Sequence, residues 1–284
     1  MRMRGPFILI CSLLLSAMVF ADNEAPAPDG LQLLYAPRAN SSISQKLKAE
    51  LLDVTLSGES SYMTGTASAE VHLKFSEPPP GNSGTVMTVT VSKMQGQTMG
   101  EQLAVSGPQV VDLHINERGR VVGYQIKKRV SDADISAMAS ADALTILAIV
   151  AALPLLPEEA VVPDSQWHWQ QVITLRDVGQ ATVDMQCHLI DISGEQIVIE
   201  SSGKITMPEV QVPNPFDPSG VMKATNLKVT ISRLRQICQP GTLVVSQVQC
   251  EAMATFIGIQ ADYTVPLGMK FKFSVRPSPP PAPE

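Results

Sequence analysis

Few residues in this chain have the types and spacing that chemistry requires. Four histidines, His72, His114, His168 and His188, fall on four different predicted strands. Zinc sites draw two ligands from one element at close spacing, and neither His-x-His nor HExxH occurs. His72 and His114 fall on polar strand faces, so the histidines read as solvated strand residues and no metal is expected. Ser201-Ser202-Gly203-Lys204 matches the S-x-x-K fragment of serine acylases. Its companions S-D-N and K-T-G are absent, and the segment reads as a hairpin turn instead of the start of a helix. There is no GxSxG, P-loop or GxGxxG. Carboxylate pairs of the glycosidase kind are a spatial property, but sugar clefts display several aromatics and aromatics make up 5% of this chain. The expectation is a protein that is not an enzyme, with no catalytic residue and no cofactor.

The densest aromatic feature is Trp167-His168-Trp169. On a strand both indoles share one face, either as core anchors or at the mouth of an apolar pocket. Methionines such as Met87, Met185 and Met269 add flexible apolar filler. Cys187, Cys238 and Cys250 form no CxxC pair, which leaves one disulfide plus a free thiol, or three small buried residues. A hairpin closing at Pro240-Gly241 would set Cys238 near Leu243, not near Cys250.

The N-terminus addresses the chain for export. Arg2 and Arg4 precede an apolar run of about 14 residues, Phe7 to Phe20, and Val19-Phe20-Ala21 supplies small residues for cleavage after Ala21. A membrane helix needs roughly 20 apolar residues, and Ile10 stands where lipid attachment at Cys11 would need a small one. Cleavage of residues 1–21 as a signal peptide leaves 263 of the 284 residues. The expected location is the periplasm or the exterior, with no integral membrane span remaining. A net charge of −6 argues against nucleic acid as a partner.

Residues 22–30 and 277–284 are Pro-rich and read as a linker and a disordered tail. Between them, 31–276 is a β-rich domain. It forms either one continuous sheet or two lobes, 31–130 and 160–276, joined by a helix. Alternation is clear at Ala67, Ala69, Val71, Leu73 and Phe75, at Met87, Val89 and Val91, at Val111, Leu113 and Ile115, and at Met269, Phe271, Phe273 and Val275. Turn signals include Pro78–Gly81, Glu117-Arg118-Gly119, Asp177–Gly179, Ser193-Gly194, Ser202-Gly203 and Pro240-Gly241. Roughly ten antiparallel strands curling into a half-barrel or sandwich follow. The four prolines of 208–220 predict a long rim loop carrying Phe216.

One segment breaks the alternation. Ser131 and Asp134 open a helix at about 132–153 that Pro154 ends, and Thr145 is the one exception to apolarity in 143–153. Such a helix must be covered on most of its surface. It is either ordinary packing on the sheet or a plug over an apolar cavity.

Leu156-Pro157-Glu158-Glu159-Ala160-Val161 with Asp164-Ser165-Gln166-Trp167 resembles the LP…V…G-D-S-W segment of an exported, β-rich bacterial group of unknown function. The Ile115–Val121 turn fits the same style, and Pro163 departs from the group's usual glycine. The resemblance spans roughly 115–175 and implies export and a fold style without chemistry. By architecture alone the chain is also similar to LolA-like and LppX-like carriers of lipid or acyl chains. Two functions follow. One is a hydrophobic-ligand carrier whose candidate lining is Leu144, Leu147, Ile149, Trp167, Trp169 and Phe216. The other is a structural or interaction module whose partner is another exported protein.

Overall fold

Wherever the sequence alternates with period two, the chain forms a strand, and every strand pairing is antiparallel. The computed structural model describes residues 30–278 apart from 61–63, 82, 99–100, 131–134, 176–178, 214–220 and 261–262. The signal peptide, nearly all of the linker, the Ser131/Asp134 helix start, Phe216 and most of the Pro-rich tail lie outside the described residues. The chain divides into Met1–Leu31 and Gln32–Glu284, and the elements described here belong to the second unit.

The first half supplies β1 (Ser42–Leu56), β2 (Glu59–Ser60), β3 (Gly65–Ser76), β4 (Thr85–Thr98), β5 (Glu101–Val105), β6 (Gln109–Ile115) and β7 (Val121–Lys128). The helix α1 (Ile135–Ala152) follows. The second half supplies β8 (Gln166–Leu175), β9 (Gly179–Ile192), β10 (Ile197–Pro213), β11 (Val221–Cys238), β12 (Val245–Gln260) and β13 (Tyr263–Pro277). All join one sheet in the order β7-β6-β4-β3-β1-β13-β12-β11-β10-β9-β8, with β2 beside β1 and β5 beside β4. This is an up-and-down meander in which the last strand returns to the first. Leu47 lies opposite Val275 and Ala49 opposite Phe273. The stretches 31–130 and 160–276 thus meet in a single sheet, curled nearly closed into a barrel.

The barrel stays open at one place. Between β7 and β8 the chain leaves the sheet to make α1, and no backbone ladder joins these two strands. They become the sheet's two edges, and their approach is a seam.

The expected apolar faces point inward. Val71, Leu73, Phe75, Met87, Val89, Val111, Leu113 and Val275 are buried, whereas His72, Lys74 and Lys270 are exposed. The outer face carries cross-strand charge pairs such as Lys272–Glu50 at 2.9 Å and Lys93–Glu70 at 3.0 Å. Exposed pairs of this kind add little stability.

One end of the barrel is covered by the strap that precedes β1. Tyr35 N–H donates to Glu117 O in the β6–β7 turn (2.7 Å), and Ala36 N–H donates to Thr242 O in the β11–β12 turn (3.1 Å). Leu33 and Tyr35 are buried beneath it. The Tyr35 ring meets Phe75 edge-on at 6.4 Å, and its hydroxyl reaches Met87 Sδ at 3.7 Å. That burial holds the Tyr35 phenol far above its ordinary value.

Three expectations are corrected. Ser202-Gly203 is not a turn but a bulge inside β10, where the register against β11 shifts between Ser201 and Gly203. A Cβ on Gly203 would strike the Asp184 carbonyl and the Met185 backbone, so glycine permits the close approach of β9. Residues 208–213 are not loop, because β10 continues to Pro213. Beyond Thr206 it pairs with β11 but no longer with β9. The prolines there lie on an open edge, where a missing N–H removes no ladder bond. Finally, register sets Cys238 opposite Val245, not Leu243.

Candidate functional site

A helix that is almost wholly apolar over its last ten residues needs apolar cover on several sides, and the two walls of the sheet provide it. α1 touches β3, β4 and β5 on one wall and β10, β11 and β12 on the other. Ala141, Leu144, Thr145, Ala148, Ile149, Ala151 and Ala152 are buried, while Ile146, Leu147 and Val150 are half-buried. The Thr145 hydroxyl, the one polar group in the apolar run, donates back to Ala141 O at 2.8 Å and so costs little. Among the described residues, two hydrogen bonds tie the helix and its C-terminal end to the walls. Gln109 Nε2 on β6 donates to Asp142 Oδ1 (2.6 Å), and Gln236 Nε2 on β11 donates to Leu153 O (2.8 Å).

After α1 the run Leu153-Pro154-Leu155-Leu156-Pro157 is wholly buried. It passes under the β6–β7 turn, which is shaped to let it through. Asn116 Oδ1 accepts from the N–H groups of Arg118 and Arg120, each at 3.0 Å. Gly119 holds φ at +72°, and a Cβ there would press on Pro154 O. The turn therefore delivers Arg120 to the seam.

The seam is stitched by side chains in place of a ladder. Arg120 Nη1 donates to Gln170 O (2.6 Å), and its Nη2 pairs with Glu158 (2.8 Å). Its guanidinium carbon lies 5.4 Å from the Trp169 ring centroid, within cation–π range. From β8, Gln171 Nε2 donates to Val121 O on β7 at 2.7 Å. Trp167 Nε1 donates to Leu155 O at 3.1 Å, fixing β8 to the buried run. Outside the seam, Val122 and Val172 are the two most exposed large apolar residues described, at 65% and 52%.

Of the six expected lining residues, Leu144, Ile149 and Trp169 belong to the main hydrophobic core, which also holds Leu47, Val89, Val111 and Val275, and Leu147 and Trp167 pack against it. Phe216 lies outside the described residues. The Ser201/Lys204 pair is not assembled for acyl transfer. Ser201 is buried beside Cys187, whereas Lys204 is exposed and 3.4 Å from Asp184.

The histidines are likewise apart. His168 Nε2 lies 2.7 Å from Asp184 Oδ1, and that contact, ahead of Lys204, holds the Asp184 carboxyl below its ordinary value. His188 lies 3.7 Å from Asp164, and His72 bonds to Ser44. Among the described residues no group of three or more metal-ligating side chains forms.

The three cysteines are buried free thiols. Burial pushes Cys187 up to about 11 and Cys238 and Cys250 up to about 12, which makes them poor nucleophiles.

At the end of the sheet away from the strap, a second small cluster gathers Val54, Ala224, Phe256 and Leu267. An open groove of about 330 Å³ runs over it between Thr55, Asn226, Thr255 and Gly268. Among the described residues no helix is long and apolar enough to cross a membrane.

Arg120, Gln171 and Tyr35 did not stand out in the sequence. The one available signal for Arg120 was its place in the Asn-x-x-Gly turn, but nothing local marks a residue that bridges to position 169.

No protein-family model matches the chain, and no curated protein matches it, so neither resemblance drawn from the sequence gains support there. Two solved structures show remote likeness. A chain from "Lipid-protein interactions in lipovitellin" is 8% identical with a TM-score of 0.43 over 87% of this chain, which spans only 26% of the lipovitellin chain. DynF, from the dynemicin biosynthesis pathway of Micromonospora chersina, is 8% identical with a TM-score of 0.26, covering 90% of this chain and 88% of that one. Scores this low do not establish a shared fold.

Proposed function

We propose that the mature chain is an exported, non-catalytic carrier of a hydrophobic ligand, with α1 holding the lumen when no ligand is bound. The observation that carries this reading is the helix itself. It is strongly apolar from Ala143 to Ala152 with Thr145 the one exception, contacts opposite walls, and is tied to the sheet by two side-chain hydrogen bonds among the described residues. A helix with so long an apolar run has to be buried on most of its surface, and here the two walls of the sheet supply that cover. Its 18 residues span about 27 Å, room for one long acyl chain lying along the barrel. The seam offers a way in, because parting β7 from β8 breaks side-chain contacts and no backbone ladder.

The fatty acid palmitate tests the reading. Native mass spectrometry of the mature chain with palmitate should show one bound molecule per chain. Protein purified from its host should also carry lipid mass. A clean apo mass in both cases would instead favour a structural module whose helix is simply its core.

A further inference from the structure

We propose that the top of the β7–β8 seam is a headgroup site, and that it selects a single-chain carboxylate over a neutral amphiphile of equal length. This rests on the carrier reading above. Trp169 is 2% exposed, and its Nε1–H has no partner. An indole N–H buried without an acceptor is costly and rare. Two residues from Arg120 in the same turn, Arg118 has a buried Nη1 that is also without a partner.

Arg120 itself stands over the Trp169 ring, and its ion-pair partner Glu158 is 74% exposed. Glu158 can therefore return to water at little cost when Arg120 turns to a ligand. Trp169 thus brings an orphan donor, and Arg120 an exchangeable guanidinium, to a place where the sheet has no ladder, and Arg118 adds a second orphan donor to the same turn. That set calls for an anion with two acceptor oxygens, and guanidinium binds carboxylate as a two-pronged fork. The apolar tail would run from this point into the volume that α1 occupies.

The test compares palmitate with hexadecanol, which has the same chain and no charge, by titration calorimetry on the mature protein at neutral pH. Palmitate should bind about tenfold more tightly, the scale of one charge-assisted hydrogen bond. The double variant Arg118→Gln/Arg120→Gln should reduce that preference to about one. Arg120→Lys, which keeps the charge and loses the fork, should retain part of it. Thermal unfolding of each variant confirms that it folds. Equal affinities for the two ligands in the native protein, or an undiminished preference in the double variant, would overturn the headgroup site and leave the carrier intact. Binding of neither ligand would overturn both.

Discussion

Arg120 places its guanidinium over the ring of Trp169, 5.4 Å from the centroid, and so joins the turn before β7 to β8 across the one break in the sheet. The chain separates these residues by a helix and a buried proline-rich run. Their contact, with Gln171 to Val121 O, stands where no backbone ladder joins the two edge strands.

Arg120→Ala should lower stability by about 1–2 kcal/mol, since it removes a cation–π contact and a charged hydrogen bond at a half-buried site. Hydrogen exchange should speed up in β7 and β8 ahead of β1 and β13. Uniform exchange across all four strands would mean that the seam is not the weak edge of the barrel.

Core packing around α1 sets a larger number. Leu144 and Ile149 are 5% and 6% exposed, and truncating either to alanine should cost about 2–5 kcal/mol in chemical denaturation. A loss below about 1 kcal/mol would show that the helix is loosely held, with its surroundings free to collapse.

Gly203→Ala tests the bulge in β10. The added methyl meets the backbone of Asp184 and Met185, which cannot yield as a flexible side chain would. The expected cost is about 1–3 kcal/mol, read from the unfolding midpoint. Gly194→Ala serves as the control, because a Cβ there meets nothing within 4 Å. Equal effects at the two glycines would contradict the described register.

The buried thiols predict the pH dependence. Their folded-state values, about 11 for Cys187 and about 12 for Cys238 and Cys250, stand above the ordinary 9.0. A raised value means that the fold favours the protonated thiol. This stabilisation is fully present below about pH 9 and is lost as pH rises toward 11–12. Urea midpoints should therefore be level from neutral pH to about 8 and fall above 9. Cys238→Ala should flatten the fall. A thiol reagent should leave all three cysteines unmodified in the native protein and reach them in urea.

Much of this architecture was legible because a strand with one wet face writes its burial into alternate residues. Ala69 to Phe75 and Met87 to Val91 show this directly, and the helix was legible because α1 lacks that period. Two features misled. Ser202-Gly203 has the composition of a turn, yet its glycine serves a close approach between strands, which depends on a neighbour 18 residues upstream. The prolines of 208–213 suggested a loop because proline forfeits a ladder bond, and only the end of β9 pairing at Thr206 makes that forfeit harmless.

In the core around α1 and β8, Trp167, Trp169, Leu144, Leu147 and Ile149 were visible as large apolar residues in conspicuous runs. Arg120 and Tyr35 were not, because their roles depend on long-range contacts with Trp169 and with the two turns that the strap joins.

The central claim is that α1 occupies a ligand's place, and hydrogen exchange of the mature protein with and without saturating palmitate tests it most directly. The account predicts that ligand sharply reduces protection across 135–152 while β1, β13 and β12 keep theirs. Unchanged protection of the helix at full palmitate occupancy would contradict it, by showing that the ligand binds elsewhere and that α1 is a permanent part of the core.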